Sequence, residues 1–163
     1  EAAVQFPLTG LKLKASPLIC FEDVFAGAAR DAVQPDTDFL VNVTNDGWFS
    51  ESAEQWQHLA NALFRSVETG RPLVRCANNG ISCWVDGVGR VHVERFPDDR
   101  SPYARGFKVF EMTLPTKPRM TFYQQHGDWF ILICLLLAGR AAFVLARQRT
   151  VNKREANVSN HDA

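Results

Sequence analysis

The 163-residue chain has no surplus of charge of either sign: eighteen Lys and Arg residues balance eighteen Asp and Glu. Without a basic excess there is no electrostatic case for nucleic acid as a partner. Only four cysteines and four histidines are present. They form neither a CxxC nor a close histidine pair, so the spacing of a zinc site is missing. No internal repeat and no low-complexity segment occurs. The chain opens at Glu1 with neither an initiator methionine nor a signal peptide, and the expectation is a portion of a longer protein. Long apolar runs are lacking as well, with one late exception.

That exception is Trp129 to Ala146: eleven uncharged residues (Trp129 to Gly139), then Arg140, then Ala141 to Ala146. A membrane-spanning helix needs about 20 mostly apolar residues, a length reached here if Arg140 snorkels to the headgroups. Beyond it stand Arg147, Arg149, Lys153 and Arg154 against Glu155. The positive-inside rule then puts the C-terminus in the cytoplasm and the chain before Trp129 on the other side. The rival reading is a buried helix of a soluble domain. The expected organisation is a folded domain over 1–120, a linker over 121–128, a transmembrane helix over 129–147 and a disordered basic tail over 148–163.

Ahead of that segment the pattern is strand, helix, strand, which marks an α/β fold. Leu11 to Ala15 alternates apolar and basic residues as a half-exposed strand does, and Ser16-Pro17 punctuates it. From Glu22, the positions Val24, Phe25, Ala28, Ala29 and Ala32 recur at helical spacing until Pro35. Phe39 to Thr44 reads as a buried strand that delivers Asn45-Asp46-Gly47 as a turn. Ser52 and Gln55 form a capping box for a helix with Trp56, Leu59, Leu63 and Val67 as its inward stripe, ended by Gly70 and Pro72. Leu73 to Ala77 and Ile81 to Asp86 form a hairpin around Asn79-Gly80, which sets Cys76 opposite Cys83. Two packed thiols are the expected state there, with a disulfide in range if the register holds. Further strands are expected at Arg90 to Phe96 and Gly106 to Leu114, joined by a loop over Pro97 to Pro102.

The stretch that points to chemistry is Pro17-Leu18-Ile19-Cys20-Phe21-Glu22-Asp23, an apolar run ending in a thiol and passing into acids and a helical pattern. A cysteine at a strand-to-helix turn is held rigidly, and the amides beyond it lower its pKa or cradle a developing anion. That is how a nucleophile is mounted. The plainer reading makes Cys20 a small buried hydrophobe. Trp48 and Phe49 follow a glycine turn, where two large exposed rings need a reason; core packing is the alternative. Asn45 and Asp46 shape the turn. His58, with no partner identifiable, reads as structural rather than as a general base, and Arg71 and Arg75 read as formers of buried ion pairs.

Together with Asn42 to Phe49, Gln57-His58, Glu68 to Arg75 and Asn78-Asn79-Gly80, the Cys20 stretch resembles the apolipoprotein N-acyltransferases, a membrane-anchored branch of the nitrilase (carbon-nitrogen hydrolase) superfamily. The resemblance runs from about Leu18 to Ala146. It implies a nitrilase-like α-β-β-α sandwich, incomplete here, over 1–120, followed by one transmembrane helix. It implies a fatty acyl group passing from a phospholipid donor to Cys20 as a thioester and then to the N-terminal amine of an apolipoprotein acceptor. It places the protein in the bacterial inner membrane with the site on the periplasmic side, and implies no metal or organic cofactor.

Residue by residue, the resemblance makes Cys20 the nucleophile, Glu22 an aid in orienting the site and the Phe21 backbone amide an oxyanion donor; a first-turn helix acid is the alternative for Glu22. Trp48, Phe49 and Asn45 fall at the acyl-binding side. The family's base, a glutamate, and its lysine lie farther upstream than nineteen residues allow, so Glu1, Lys12 and Lys14 are poor substitutes, and the chain alone is expected to be inactive. Two other readings compete: a soluble-type amidase or nitrilase acting on small C–N bonds, and a non-catalytic membrane-attached module that binds lipoprotein or lipid.

Overall fold

The computed structural model describes residues 5–8, 10–50, 52–92, 106–107, 109–116 and 118–159. Among the described residues of the first 125, six strands lie in the order in which they occur along the chain: β1 (Phe6–Leu8), β2 (Leu13–Ile19), β3 (Phe39–Asn45), β4 (Leu73–Asn78), β5 (Cys83–Val85) and β6 (Val91–His92). The middle of the sheet, β2-β3-β4, is parallel, and β1, β5 and β6 are added antiparallel at its two sides. Each parallel step needs a crossover, and the crossovers contain α1 (Ala26–Ala32) and α2 (Glu54–Thr69).

Both helices cover one face of the sheet. Leu18, Leu40, Leu73, Cys83 and Val85 from the strands meet Ala29, Val33, Leu59 and Ala62 from the helical layer in one buried cluster. The opposite face leaves Ile19 and Val43 exposed. Among the described residues this is one sheet and one helical layer, half of an α-β-β-α sandwich. Polar residues stand on the buried face as well. Along β3, Leu40, Asn42 and Thr44 point the same way and all are buried, as the two-residue period of a strand requires.

Several local expectations are corrected. β2 runs without a break through Ser16-Pro17. Among the described residues, β1 pairs with β2 as far as Ala15, and β3 is the strand beside Pro17, an arrangement that tolerates proline. The helix expected from Glu22 is a 3₁₀ turn over Cys20–Val24, an extended residue at Phe25 and then α1. The inward stripe of α2 is not Trp56 and Val67, which are exposed, but Gln55, His58, Leu59, Ala62, Arg65, Ser66 and Thr69. Burial follows hydrogen-bond partners here as much as apolarity. Ser52 and Gln55 do serve the N-terminus: the Ser52 hydroxyl accepts from Glu54 N–H and the Gln55 side chain accepts from Ser52 N–H. Gly70 closes the helix with φ +63°, the left-handed geometry that favours glycine.

The hairpin register is one residue away from expectation. Arg75, not Cys76, stands opposite Cys83, because Asn79 to Ser82 form a longer connection than a two-residue turn. A one-residue slip moves a side chain to the other face. Cys83 is therefore buried, Cys76 is exposed, and both are free thiols. The expected strand at Arg90 to Phe96 is described only as Val91–His92, and residues 93–96 and the Pro97 to Pro102 loop lie outside the described residues. No strand occurs among the described residues of Gly106 to Leu114.

The second unit begins at His126. α3 (Phe122–His126) falls where a linker is expected, and α4 (Trp129–Ser159) runs as helix into the stretch expected to be a disordered tail, of which residues 160–163 lie outside the described residues. Within α4, Trp129–Thr150 is long and apolar enough to cross a membrane.

Candidate active site

Cys20 occupies the junction of β2 and the 3₁₀ turn with φ +51°. For a residue with a side chain this conformation is disfavoured, and it persists only where the surroundings over-determine it. The surroundings do so. The Glu22 carboxylate accepts from Ile19 N–H at 2.7 Å, closing the turn. Asn42 Nδ2 donates to the carbonyls of Leu18 (3.0 Å) and Cys20 (3.1 Å). Arg65 Nη1 donates to the Val24 carbonyl at 3.1 Å. The turn is thus held from its own chain, from β3 and from α2.

Beneath the turn lies a buried ionic cluster. Arg75 Nη1 donates to Asp23 Oδ2 (2.5 Å) and to Asn42 Oδ1 (2.6 Å), and Nη2 donates to Asp46 Oδ2 (3.0 Å). His58 bridges the same two acids, Nε2 to Asp23 Oδ1 at 2.7 Å and Nδ1 to Asp46 Oδ1 at 2.9 Å. Carboxylates accept only, so an imidazole satisfied at both nitrogens carries both protons. Burial works against that charge, but hydrogen bonds to Asp23 and Asp46 carry the His58 pKa up to about 9. Two carboxylates, one imidazolium and one guanidinium then cancel. Burial also opposes ionisation of Asp46, yet His58, Arg75 and Thr44 hold its carboxyl below the usual range.

The cluster reaches the thiol through Thr44, whose hydroxyl lies 3.0 Å from Asp46 Oδ1 and 3.5 Å from Cys20 Sγ. Cys20 is pulled below the ordinary thiol pKa, first by Thr44, then by the Asn45 and Phe21 backbone N–H groups, with a smaller contribution from the charge on His58. A lowered pKa raises the thiolate fraction at neutral pH. The arrangement can present a nucleophilic sulfur beside backbone donors suited to an oxyanion.

The other candidates from the sequence sit as follows. Asn45 caps the second 3₁₀ turn, Asp46–Phe49, accepting from Gly47 N–H at 3.2 Å and from Asn78 Nδ2 at 2.8 Å. Trp48 is 82% exposed and Phe49 41%. The Phe21 ring packs on His58 at 5.4 Å between centroids. Lys14 pairs with Asp36 away from the thiol, and Lys12 is exposed; Glu1 lies outside the described residues. His58, expected to lack a partner, has two that the sequence did not reveal, Asp23 and Asp46. Arg75 forms the expected buried ion pairs, whereas Arg71 binds carbonyls, those of Thr37 (2.6 Å) and Arg119 (2.9 Å) among them. Asp23, Asn42 and Thr44 were missed. The signal for Asn42 and Thr44 was their two-residue spacing from Leu40 along a strand, which puts polar side chains on its buried face; Asp23 lies in the 3₁₀ turn and had no such signal.

Asp46, Glu54 and His58 offer three potential metal ligands within 4.8 Å of one another. Here the charge is already met by Arg75 and by the protons of His58, and Nδ1 is committed to Asp46 as a donor. The donor set fits an ion-pair cluster better than a metal centre.

The carbon-nitrogen hydrolase family model matches residues 2–101, more than half of the chain. The chain belongs to the carbon-nitrogen hydrolase family. Curated relatives are named apolipoprotein N-acyltransferase. That of Chlorobaculum tepidum is 35% identical over 84% of this chain and 24% of its own length. The Haemophilus influenzae protein is 45% identical over 55% of this chain and 17% of its own, and that of Thermotoga maritima 36% over 77% and 24%. The chain therefore spans about a quarter or less of the relatives it matches. Among solved structures, an amidase from Nesterenkonia sp. AN1 is similar over 58% of this chain and 40% of its own, at 19% identity and a TM-score of 0.44. Within this carbon-nitrogen hydrolase family chain, Cys20 is the thiol at the end of a parallel strand and α4 supplies the apolar helix.

Proposed function

We propose that this chain is the nucleophile-bearing part of an apolipoprotein N-acyltransferase. Cys20 accepts a fatty acyl group from a phospholipid as a thioester, releasing a lysophospholipid, and the acyl group then passes to the N-terminal amine of an apolipoprotein. The observation that carries this reading is the strained, hydrogen-bonded, acidified thiol of Cys20 in a chain whose curated relatives bear that name. The Asn45 and Phe21 amides serve the carbonyl oxygen, Glu22 closes the turn that carries the thiol, and the exposed Trp48 and Phe49 rings face the acyl chain. The base and the lysine of the reaction are assigned to residues ahead of Cys20 in the whole enzyme, and the chain by itself is inactive.

In this reading α4 crosses the bacterial inner membrane, with the site on the periplasmic side and the C-terminus in the cytoplasm. Lipid donor and anchored acceptor then share one bilayer with the thiol, which raises their effective concentration. The test is to incubate the intact enzyme with phospholipid and look for a hydroxylamine-labile acyl group on Cys20. A Cys20 that reacts with small amides but never takes an acyl group from lipid would favour an amidase instead.

A further inference from the structure

We infer that Thr44 is a positioning residue for Cys20: its one hydroxyl proton is shared between the Cys20 sulfur and the Asp46 carboxylate, and the buried Asp23, His58, Asp46 and Arg75 cluster fixes the carboxylate where that sharing works. The inference rests on reading Cys20 as the nucleophile. It adds a part to that site which neither the family match nor the relatives' names assign.

The geometry leaves Thr44 two acceptors and one proton. A threonine hydroxyl is a single donor with two acceptor lone pairs. Asp46 Oδ1 is 3.0 Å from it and Cys20 Sγ 3.5 Å. While the sulfur is a thiol, S–H donates to Thr44 Oγ1 and Thr44 donates to Asp46. When the thiol proton leaves to solvent, no heavy atom has to move. The hydroxyl turns about its Cβ–Oγ1 bond and donates to the thiolate instead.

The turn is cheap because Asp46 is not left bare. Oδ1 keeps the His58 Nδ1–H at 2.9 Å, and Oδ2 keeps Arg75 Nη2 at 3.0 Å. The charged groups around Asp46 and His58 set that balance, with Arg65 from α2 on the Asp23 carbonyl behind them. Asp23 comes from the 3₁₀ turn, His58 and Glu54 from α2, and Arg75 from β4. Glu54 lies 4.0 Å from His58 Nδ1, and burial pushes its carboxyl pKa up. An Asp46 lacking the two cations would compete for the Thr44 proton and repel the thiolate. With them, the hydroxyl is free to follow the charge on sulfur.

The test is the rate of iodoacetamide alkylation of Cys20 against pH in the intact enzyme, read by peptide mass spectrometry, with Cys76→Ser and Cys134→Ser as background. Thr44→Val should slow alkylation at pH 7 about tenfold, the equivalent of a weak hydrogen bond to an ion, and should approach the parent rate at alkaline pH, where both sulfurs are ionised. Thr44→Ser should restore the parent profile. Thr44→Ala, smaller and free of overpacking, should repeat the valine result if the valine variant folds poorly. An unchanged rate at pH 7 in either hydroxyl-free variant would overturn the inference, as would slowing by one factor at every pH, which a merely structural defect produces. Alkylation needs no turnover, so the acyl-carrier reading fails separately, if Cys20 takes no acyl group while this profile holds.

Discussion

Raising the pH should unlock the His58 cluster. His58 is 2% exposed, sits between Asp23 and Asp46 and has its pKa carried from 6.5 to about 9. The folded state holds this proton more tightly than the unfolded chain. The contribution is therefore fully present below pH 6.5 and is lost as the pH rises through about 9. At about 1.36 kcal/mol per tenfold change in proton affinity, the loss is roughly 3 kcal/mol, a large share of a typical domain's stability. Two thiols titrate nearby. Cys20, with its lowered pKa, would add stability as pH rises, so Cys20→Ala is the proper background. Cys83, pushed up to about 11 by burial, costs stability only above the ordinary thiol range. Urea unfolding of the intact enzyme in detergent, followed by tryptophan fluorescence between pH 6 and 9.5, gives the slope. A His58→Gln variant should be less stable at pH 6 and should lose that slope. A flat profile in the parent, or the same slope in His58→Gln, would refute the reasoning.

Two further substitutions probe the same cluster. Arg75→Met leaves Asp23 and Asp46 with His58 as their remaining cation, and breaking a buried pair from one side costs about 3–5 kcal/mol; urea midpoints at pH 7 measure it. Gly80→Ala would put a Cβ onto Asp46 Oδ2 and 3.0 Å from the Ala77 Cβ. That carboxylate is held by Arg75 and His58 and cannot swing aside, so the overpacking should cost about 1–3 kcal/mol, read as a lowered thermal midpoint.

Much of the fold was legible because it follows from periodicity and punctuation. The strand Phe39–Asn45, the glycine end of α2 at Gly70 and the apolar helix from Trp129 all stood out as runs with a single period or a single stop signal. Where two physical rules competed, the sequence misled. Trp56 and Val67 look inward by hydropathy, yet Gln55, His58 and Arg65 occupy the inner face because their partners lie there. Asn79-Gly80 signals a two-residue turn, but the ladder pairs Arg75 with Cys83, which puts Cys76 and Cys83 on opposite faces. At the site, Cys20 was legible from its place at the end of an apolar run. The support beneath it was not. Asp23, Thr44, Asp46, His58 and Arg75 are separated by up to 52 residues, and only the parallel pairing of β2, β3 and β4 brings them together.

The measurement that tests the central claim most directly is the mass of the Cys20 peptide after the intact enzyme has met phospholipid alone. With no acceptor amine to discharge it, Cys20 should carry a fatty acyl group that hydroxylamine removes, and Cys20→Ala should carry none. An acyl group found only on another residue, or full acyl transfer by Cys20→Ala, would contradict the account.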